Sequence, residues 1–339
     1  MRAARLTDLA ALSELSRLSH GAAGAAADGA ANTGRMRTLG LPVSSGQISA
    51  FTLFRLPLGA FLPGDRLYVY EDHGRVTGLA RVEHESIRNE LTIVELDAVD
   101  DGTAGDIRFR LVQHLLRDAT KRGGLRFHVA CADEGGNVEL FMQAGFARYG
   151  EERLLYRPPD MPHPEHMTQA EAAQRGIRAV QPLDALELDR LYRAATPAPV
   201  VRLEDYRLAD WERQGNHWRV PRSSLTPLLR FADIDAFAQA SPKGTELLAF
   251  CQVGATKSDQ PDYLRVISRP DHDPSDLITF GLSVIRSQRG VASAVRSYES
   301  PLDRRLAENG FSSLAVVSLL MREMAQRVKE PVLVPVGIR

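Results

Sequence analysis

Few residues of this 339-residue chain have the types and spacing that chemistry at a metal ion or a thiol requires. His163 and His166 are three positions apart, which suits metal ligands, but they lie in the proline-rich stretch PPDMPHPEH with no cysteine or further histidine nearby. We interpret them as part of a solvated linker and predict no metal site. Cys131 and Cys251 are each flanked by apolar, strand-like residues, which predicts two buried thiols rather than a disulfide.

A second group of residues contains both tryptophans of the chain. Trp211, His217 and Trp218 lie in the segment DWERQGNHWRV. Large aromatic side chains grouped in this way line a ligand or partner surface in some proteins and pack in a core or a domain interface in others. The sequence leaves both interpretations open.

The composition argues against two classes of partner. Lys plus Arg number 42 and Asp plus Glu 43, a formal net charge of -1, so no overall field attracts a nucleic acid. No apolar run approaches the roughly 18 residues that span a bilayer, and the N-terminus is amphipathic rather than signal-like. We therefore predict a cytoplasmic protein that binds neither nucleic acid nor membrane. The abundance of alanine and the scarcity of lysine suggest a GC-rich bacterial genome.

One sequence pattern occurs twice in the chain. The segment EGGNVELFMQAGFARYGEERLLYR, which begins at Glu134, aligns without a gap with ESPLDRRLAENGFSSLAVVSLLMR, which begins at Glu299. The pairs Gly145-Phe146 and Gly310-Phe311 coincide in this alignment. Upstream, RAARLTDLAALSEL and RAVQPLDALELDRL also begin alike, each with a short lead-in and then apolar residues at helical spacing. The chain is therefore a tandem repeat.

Hydrophobic periodicity predicts the element order β-α-α-β-β-β-α-β-α-β in each half. The Ala- and Gly-rich stretch His20–Gly46 is expected to be a loop in place of the first helix pair. The predicted boundaries are a first domain at 1–157, a linker at 158–175, a second domain at 176–329 and an extended tail at 330–339.

This element order resembles that of the Gcn5-related N-acetyltransferase family. The local signatures are LFMQAGFARYGEERLLYR and RRLAENGFSSLAVVSLLMR, each a short helix that ends in Gly-Phe before a closing strand. The resemblance covers nearly the whole chain, twice. It implies an α/β protein with two such domains in tandem, each a mixed, mostly antiparallel central sheet flanked by helices. Because a fold does not fix a function, activity is a separate question.

The resemblance implies a site for acetyl-CoA between two parted parallel strands, with the pyrophosphate on amides at the start of the next helix. The corresponding residues of the first half are Ala98, Val99, Gly102, Thr103, Gly105 and Arg108. Asp106 and Arg108 stand where the family has small residues; the aspartate would repel phosphate and the arginine would compensate. In the second half the loop reads SRPDHDPSD, whose prolines remove amide donors and whose aspartates add negative charge. Cofactor binding is thus expected in the first half if in either.

The family's general acid is a tyrosine four residues before the Gly-Phe glycine, where this chain has Phe141 and Leu306. Since neither side chain carries a proton to donate, another donor is needed. Tyr149 and Tyr156 are the candidate acids of the first half, and Glu134 is the candidate base that would deprotonate an amine. Packing explains the tyrosines as readily, and helix capping explains the glutamate.

Two functions remain open at this point. The first is an acyl-CoA-dependent N-acyltransferase with degenerate cofactor loops, acting on a small-molecule or protein amine. The alternative is a catalytically inactive protein, a pseudoenzyme that serves as a scaffold, a subunit or a ligand sensor. Its partner would be another protein or a second copy of the chain, and the tail PVLVPVGIR would dock as an extra strand.

Overall fold

A computed structural model describes most of the chain after residue 65 and a short segment at its start. The described residues are 1–8, 11, 66–85, 88–99, 103–123, 126–133, 136–162, 164–212, 221–229, 231–244, 246–256, 260–285 and 289–324. The predicted loop at His20–Gly46 and the predicted tail at 330–339 lie outside them.

The described elements follow the predicted order over residues 66–157 in the first half and 177–323 in the second, and the region predicted as a linker contains an additional short helix. The strands are β1 (Arg2–Ala3), β2 (Arg66–Asp72), β3 (Arg75–Glu85), β4 (Glu90–Ala98), β5 (Arg126–Cys131), β6 (Ala147–Arg157), β7 (Ile177–Ala179), β8 (Phe231–Ala240), β9 (Leu247–Thr256), β10 (Asp262–Ser268), β11 (Val291–Arg296) and β12 (Ser312–Glu323). The helices are α1 (Ala104–Lys121), α2 (Asn137–Gln143), α3 (Gln169–Gln174), α4 (Ala185–Ala195), α5 (Ala198–Glu204), α6 (Ser275–Val284) and α7 (Ser300–Glu308). Of the described helices, none is long and apolar enough to cross a membrane.

The strands of the described residues form one sheet, in the order β1-β2-β3-β4-β5-β12-β6-β11-β10-β9-β8-β7. The last strand of the second half, β12, lies between β5 and β6 of the first half. In turn β6, the last strand of the first half, pairs with β11 of the second. The mixed α/β fold class is confirmed. The closing strands exchange places, which joins the two central sheets into one.

The exchanged strands keep the symmetry of the sequence repeat. Their antiparallel ladder has two register shifts, one that leaves out Leu314 on β12 and one that leaves out Tyr149 on β6. These two residues occupy the same place in the repeat. Since a bulge inserts one extra residue and bends its strand, each half bends its closing strand at the same point. A pseudo-two-fold axis therefore passes between β6 and β12.

The two halves also begin with the same ion pair. Arg2 donates two hydrogen bonds to the Asp8 carboxylate, at 2.6 and 2.8 Å. Arg178 donates two to Asp184, at 2.6 and 2.7 Å. Each carboxylate also accepts an amide from three residues before it, which fixes the turn into the following segment. The similar sequences at the starts of the two halves therefore form the same local structure.

The Gly-Phe pair ends the short helix of each half in the same way. Gly145 and Gly310 both have φ +85°, a left-handed conformation that suits glycine at a helix C-terminus. The next amide then reaches back, from Phe146 to the Phe141 carbonyl (3.0 Å) and from Phe311 to the Leu306 carbonyl (3.1 Å). The chain therefore leaves both helices through the same left-handed turn before it enters the exchanged strand.

The region predicted as a linker packs against the second half. It contains α3, which begins with a capping box in which Thr168 and Glu171 satisfy each other's amides. Met167 and Ala172 belong to the second-half core beneath α6 and α7. His166, by contrast, is exposed, and His163 lies outside the described residues.

Both predicted buried thiols are confirmed, because Cys131 and Cys251 are free and buried. Trp211 is 1% exposed and packs with Tyr192 and Tyr206 in the second-half core. The packing interpretation is thus supported for Trp211, whereas His217 and Trp218 lie outside the described residues.

Candidate functional site

Two parallel strands of the first half part to form a cleft. The β4–β5 ladder runs from Glu90 opposite Arg126 to Ile93 opposite Val129 and ends there, although β4 continues to Ala98. A register shift against β3 leaves out Val94 directly after the last ladder pair. Past this bulge β4 and β5 are no longer paired with each other in the ladder. We call this opening, between β4 and β5, the first cleft.

The N-terminus of α1 lies at the mouth of the first cleft, immediately after β4. Thr103 is the N-cap residue, but its side chain makes no capping hydrogen bond. The first amide bonded back into the helix is that of Ile107, which donates to the Thr103 carbonyl (3.0 Å). The amides before it have no acceptor within the helix, and this end carries the positive pole of the helix dipole. Such an end suits a phosphate.

Access to this helix end is open at Gly105. A Cβ atom added there would have no described atom within 4 Å apart from its chain neighbours and the backbone of its own helix. The adjacent Asp106 is paired with Arg110, one turn along the helix, at 2.8 Å, and both side chains are exposed. Its negative charge is therefore partly compensated and lies on the outer face of α1.

Arg108 is 5% exposed and lies inside the fold. Its guanidinium donates to the Asn137 side chain (3.3 Å), and Asn137 donates to the Ala132 carbonyl (3.3 Å) just past β5. Arg108 thus connects the first turn of α1 to the start of α2 across the first cleft.

The other predicted cofactor residues are placed as follows. The Ala98 side chain is buried in the first-half core, at the end of β4. The Val99 amide donates to the Thr77 carbonyl (2.9 Å), so this donor is already used within the first half. Gly102 lies outside the described residues.

The corresponding cleft of the second half is occupied by its own side chains. The β10–β11 ladder ends at Leu264 opposite Ser293, and Arg265 follows directly. Its guanidinium donates to the Ala294 carbonyl (3.0 Å) and makes two hydrogen bonds to Glu299, at 2.9 and 2.7 Å. All of these groups are buried, and β10 has no register shift against β9. This bridge therefore joins β10 and β11 at the position that corresponds to the opening between β4 and β5 in the first half.

The helix that follows this second cleft is also capped by its own residues. Asp273 accepts the Ser275 amide (3.1 Å) and the Ser275 hydroxyl (2.6 Å) at the start of α6. Arg305 pairs with the same carboxylate at 2.6 Å. A carboxylate therefore lies at the N-terminus of α6, whereas the residues that directly precede Thr103 at the start of α1, 100–102, lie outside the described chain.

Comparison with solved structures identifies the architecture. A tandem GNAT protein from the clavulanic acid biosynthesis pathway, solved without acetyl-CoA, matches with a TM-score of 0.52 and 15% identity, over 96% of this chain and 99% of that one. The chain has the fold of a tandem Gcn5-related N-acetyltransferase. A Gcn5-related N-acetyltransferase from Sphaerobacter thermophilus matches with a TM-score of 0.51 and 15% identity, over 95% and 94% of the two chains. No family model matches the sequence, and a search of curated proteins finds no match.

Within this tandem fold the two candidate acids, Tyr149 and Tyr156, lie far apart on β6. Tyr149 is the bulged residue of β6, where burial raises the pKa of its phenol to about 12 and the Arg296 guanidinium lies 5.9 Å from its ring. Tyr156 is seven residues farther along β6, roughly 20 Å away, and packs against Gly290. The two tyrosines therefore belong to different surroundings. The predicted base, Glu134, lies outside the described residues.

The tyrosine position of the family is filled by a core residue in each half. Phe141 is fully buried in the first-half core against Phe146, and Leu306 is buried in the second-half core. Glu299, which aligns with Glu134 in the sequence repeat, forms a buried ion pair with Arg265. Among these described residues, none offers an acid at the family position.

A buried ionic cluster joins the halves, and the sequence analysis missed it. Arg296 donates to Glu152 (2.9 Å), to Glu204 (3.0 Å) and to the Arg222 carbonyl (3.0 Å). Arg222 donates in turn to Glu90 (2.6 Å). Glu90 and Glu152 belong to the first half, and the other three belong to the second. The sequence signal is a charged residue within three apolar strands, at Glu90, Glu152 and Arg296, and it does not reveal the partner of any of them.

His128 lies at the first-half end of this ionic cluster and is 5% exposed. Burial lowers the pKa of its imidazole to about 4, and the positive Arg222 acts in the same direction. The nearest carboxylate oxygen, on Glu90, is 3.5 Å from Nε2 and does not offset this. The Glu90 carboxyl has a pKa well below its usual range, despite burial, because Arg222, His128 and Arg88 surround it. The ring is therefore neutral and the carboxylate charged at pH 7.

Proposed function

We propose that the protein is an acyl-CoA-dependent N-acyltransferase that binds its cofactor in the first cleft only. The observation that supports this is the contrast between the halves. The β4–β5 ladder of the first half ends at Ile93, and the first cleft opens beyond it towards the start of α1. In the second half, Arg265 bridges the strands, and the Asp273 carboxylate accepts the first amide of α6, that of Ser275.

The residues present fit an acyl-CoA. The open approach at Gly105 and the α1 amides suit the pyrophosphate, and the separation of β4 from β5 beyond Ile93 suits an extended pantetheine arm. The bound cofactor would supply an acyl thioester, and the acceptor would be an amine of a small molecule or a protein. The chain's own contribution would be to bind the arm in extended form and to exclude water.

A charge placed at Gly105 tests the cofactor site. The Gly105→Asp variant puts a carboxylate at the helix end, where it favours the helix dipole but repels phosphate. We expect acetyl-CoA binding, measured by calorimetry, to weaken about tenfold or more. Gly105→Asn has the same shape without the charge and should bind within about threefold of wild type. Equal affinities for the two variants would place the phosphates elsewhere.

A catalytically inactive acyl-CoA-binding protein is the second candidate, and Phe141 favours it, because a buried phenyl ring stands at the family's acid position. The two candidates differ in turnover. We expect wild-type protein with acetyl-CoA and a panel of amines to release free thiol, and Gly105→Asp to lose that release. Binding of acetyl-CoA without thiol release above background for any amine would favour the inactive candidate.

A further inference from the structure

Two arginines form reciprocal contacts between the halves. Arg322, near the end of β12, donates to the Ala144 carbonyl at the end of α2. Its guanidinium also covers Gly145, where an added Cβ would be 3.2 Å from it. Arg157, at the end of β6, donates to the Asn309 carbonyl at the end of α7 (2.9 Å). The two arginines align in the sequence repeat, as do the two carbonyls that they contact.

The physical role of both contacts is the same. The last carbonyls of a helix have no partner within the helix and carry the negative pole of its dipole. A guanidinium satisfies and stabilises them, and here it comes from the other half because the closing strands are exchanged. Each half therefore fixes the end of a short helix in the other.

For the first half, this helix leads to the first cleft. Arg322 holds the C-terminus of α2, and Asn137 begins the same helix two turns away. Asn137 in turn bonds Ala132, just past β5, and Arg108, in the first turn of α1. The two walls of the cleft mouth are thus connected through a helix whose far end is held by the second half.

We infer that Arg322 is a positioning residue for the acyl-CoA site, supplied to the first half by the second. This inference rests on the proposed function. Arg322 touches no part of the cofactor; it sets where α2, and through Asn137 the first turn of α1, lie relative to β5. Its repeat counterpart Arg157 holds the helix beside the second cleft, which Arg265 and Glu299 close. Loss of Arg157 therefore leaves the cofactor site in place.

The pseudo-symmetry supplies a matched pair of variants. Arg322→Met and Arg157→Met each remove the hydrogen bond to the equivalent helix-end carbonyl. Arg157→Met also removes bonds to the Met161 and Pro162 carbonyls, so its urea midpoint should fall at least as far as that of Arg322→Met. Acetyl-CoA affinity should fall about tenfold in Arg322→Met and less than about twofold in Arg157→Met. Arg322→Lys keeps a cation at the helix end and should recover part of the affinity. If Arg322→Met does not fold, the lysine variant still tests the inference, because its affinity should lie below that of wild type.

Amide hydrogen exchange of the full-length variants without cofactor gives an independent readout. Arg322→Met should increase exchange in 137–143 and in the first turn of α1, whereas Arg157→Met should increase it in 300–308. If wild-type protein does not bind acetyl-CoA, the proposed function and this inference both fall. If wild type binds but the two methionine variants lose affinity equally, or if Arg322→Met leaves exchange in 137–143 unchanged, the inference alone is wrong.

Discussion

His128 should make the folded protein sensitive to mild acid. Its folded pKa is about 4 against an ordinary value of 6.5, so between these values the unfolded chain binds a proton that the folded chain does not. The free energy of unfolding therefore falls as the pH decreases through this window, and the loss is complete near pH 4. Each pKa unit corresponds to about 1.36 kcal/mol, so the full effect is about 3 kcal/mol, of which about 2.5 kcal/mol develops between pH 7.5 and 4.5.

The assay is urea unfolding of wild type and His128→Gln at several pH values, followed by circular dichroism. Other groups, Glu90 among them, titrate in both proteins and cancel in the difference. We expect wild type to lose about 2.5 kcal/mol more than the variant between pH 7.5 and 4.5. Ser293→Ala changes a fully buried residue at the same place in the repeat and does not titrate, so its difference from wild type should stay constant. A constant difference for His128→Gln as well would refute the reasoning.

Two further predictions concern the junction of the halves. Glu152→Gln removes the charge that accepts from Arg296 (2.9 Å) and from the Ser224 amide (2.7 Å), and should lower the free energy of unfolding by about 3 kcal/mol in urea. Because the closing strands are exchanged, unfolding of wild type and variant should remain one transition, and separate transitions would contradict this. Tyr149→Phe removes a buried hydroxyl beside Arg296; acetyl-CoA affinity measured by calorimetry should change less than about twofold, and a large loss would place Tyr149 at the cofactor.

Much of the fold follows from sequence because the signals are local. The Gly145-Phe146 and Gly310-Phe311 pairs specify a left-handed residue at a helix end, and alternating apolar residues specify the strands around the turn at His73 and Gly74. The exchange of β6 and β12 is different, since the two strands have nearly the same pattern. Either could close either half, and only the lengths and angles of the connections select the partner. The predicted boundaries at 157 and 176 therefore describe the repeat, and we propose that they do not delimit units that fold alone.

The candidate site was predictable in part. The family resemblance placed Thr103 and Gly105 at the start of the helix that follows β4, and α1 begins there, with Thr103 as its N-cap residue. Spacing did not indicate that Arg108 would turn inward to Asn137, or that Arg265 would find Glu299 across the second cleft. Such pairs join residues far apart in sequence, and burial selects the partner in three dimensions. The ionic cluster around Arg296 was missed for the same reason, because its members are far apart in sequence.

The most direct test of this account is the number of acetyl-CoA molecules bound per chain, measured by calorimetric titration of the wild-type protein. The account predicts one, with Gly105→Asp weakening that single site about tenfold or more. Two molecules per chain would show that Arg265 and Glu299 do not close the second cleft. No binding at millimolar acetyl-CoA would contradict the proposed cofactor site in the first cleft.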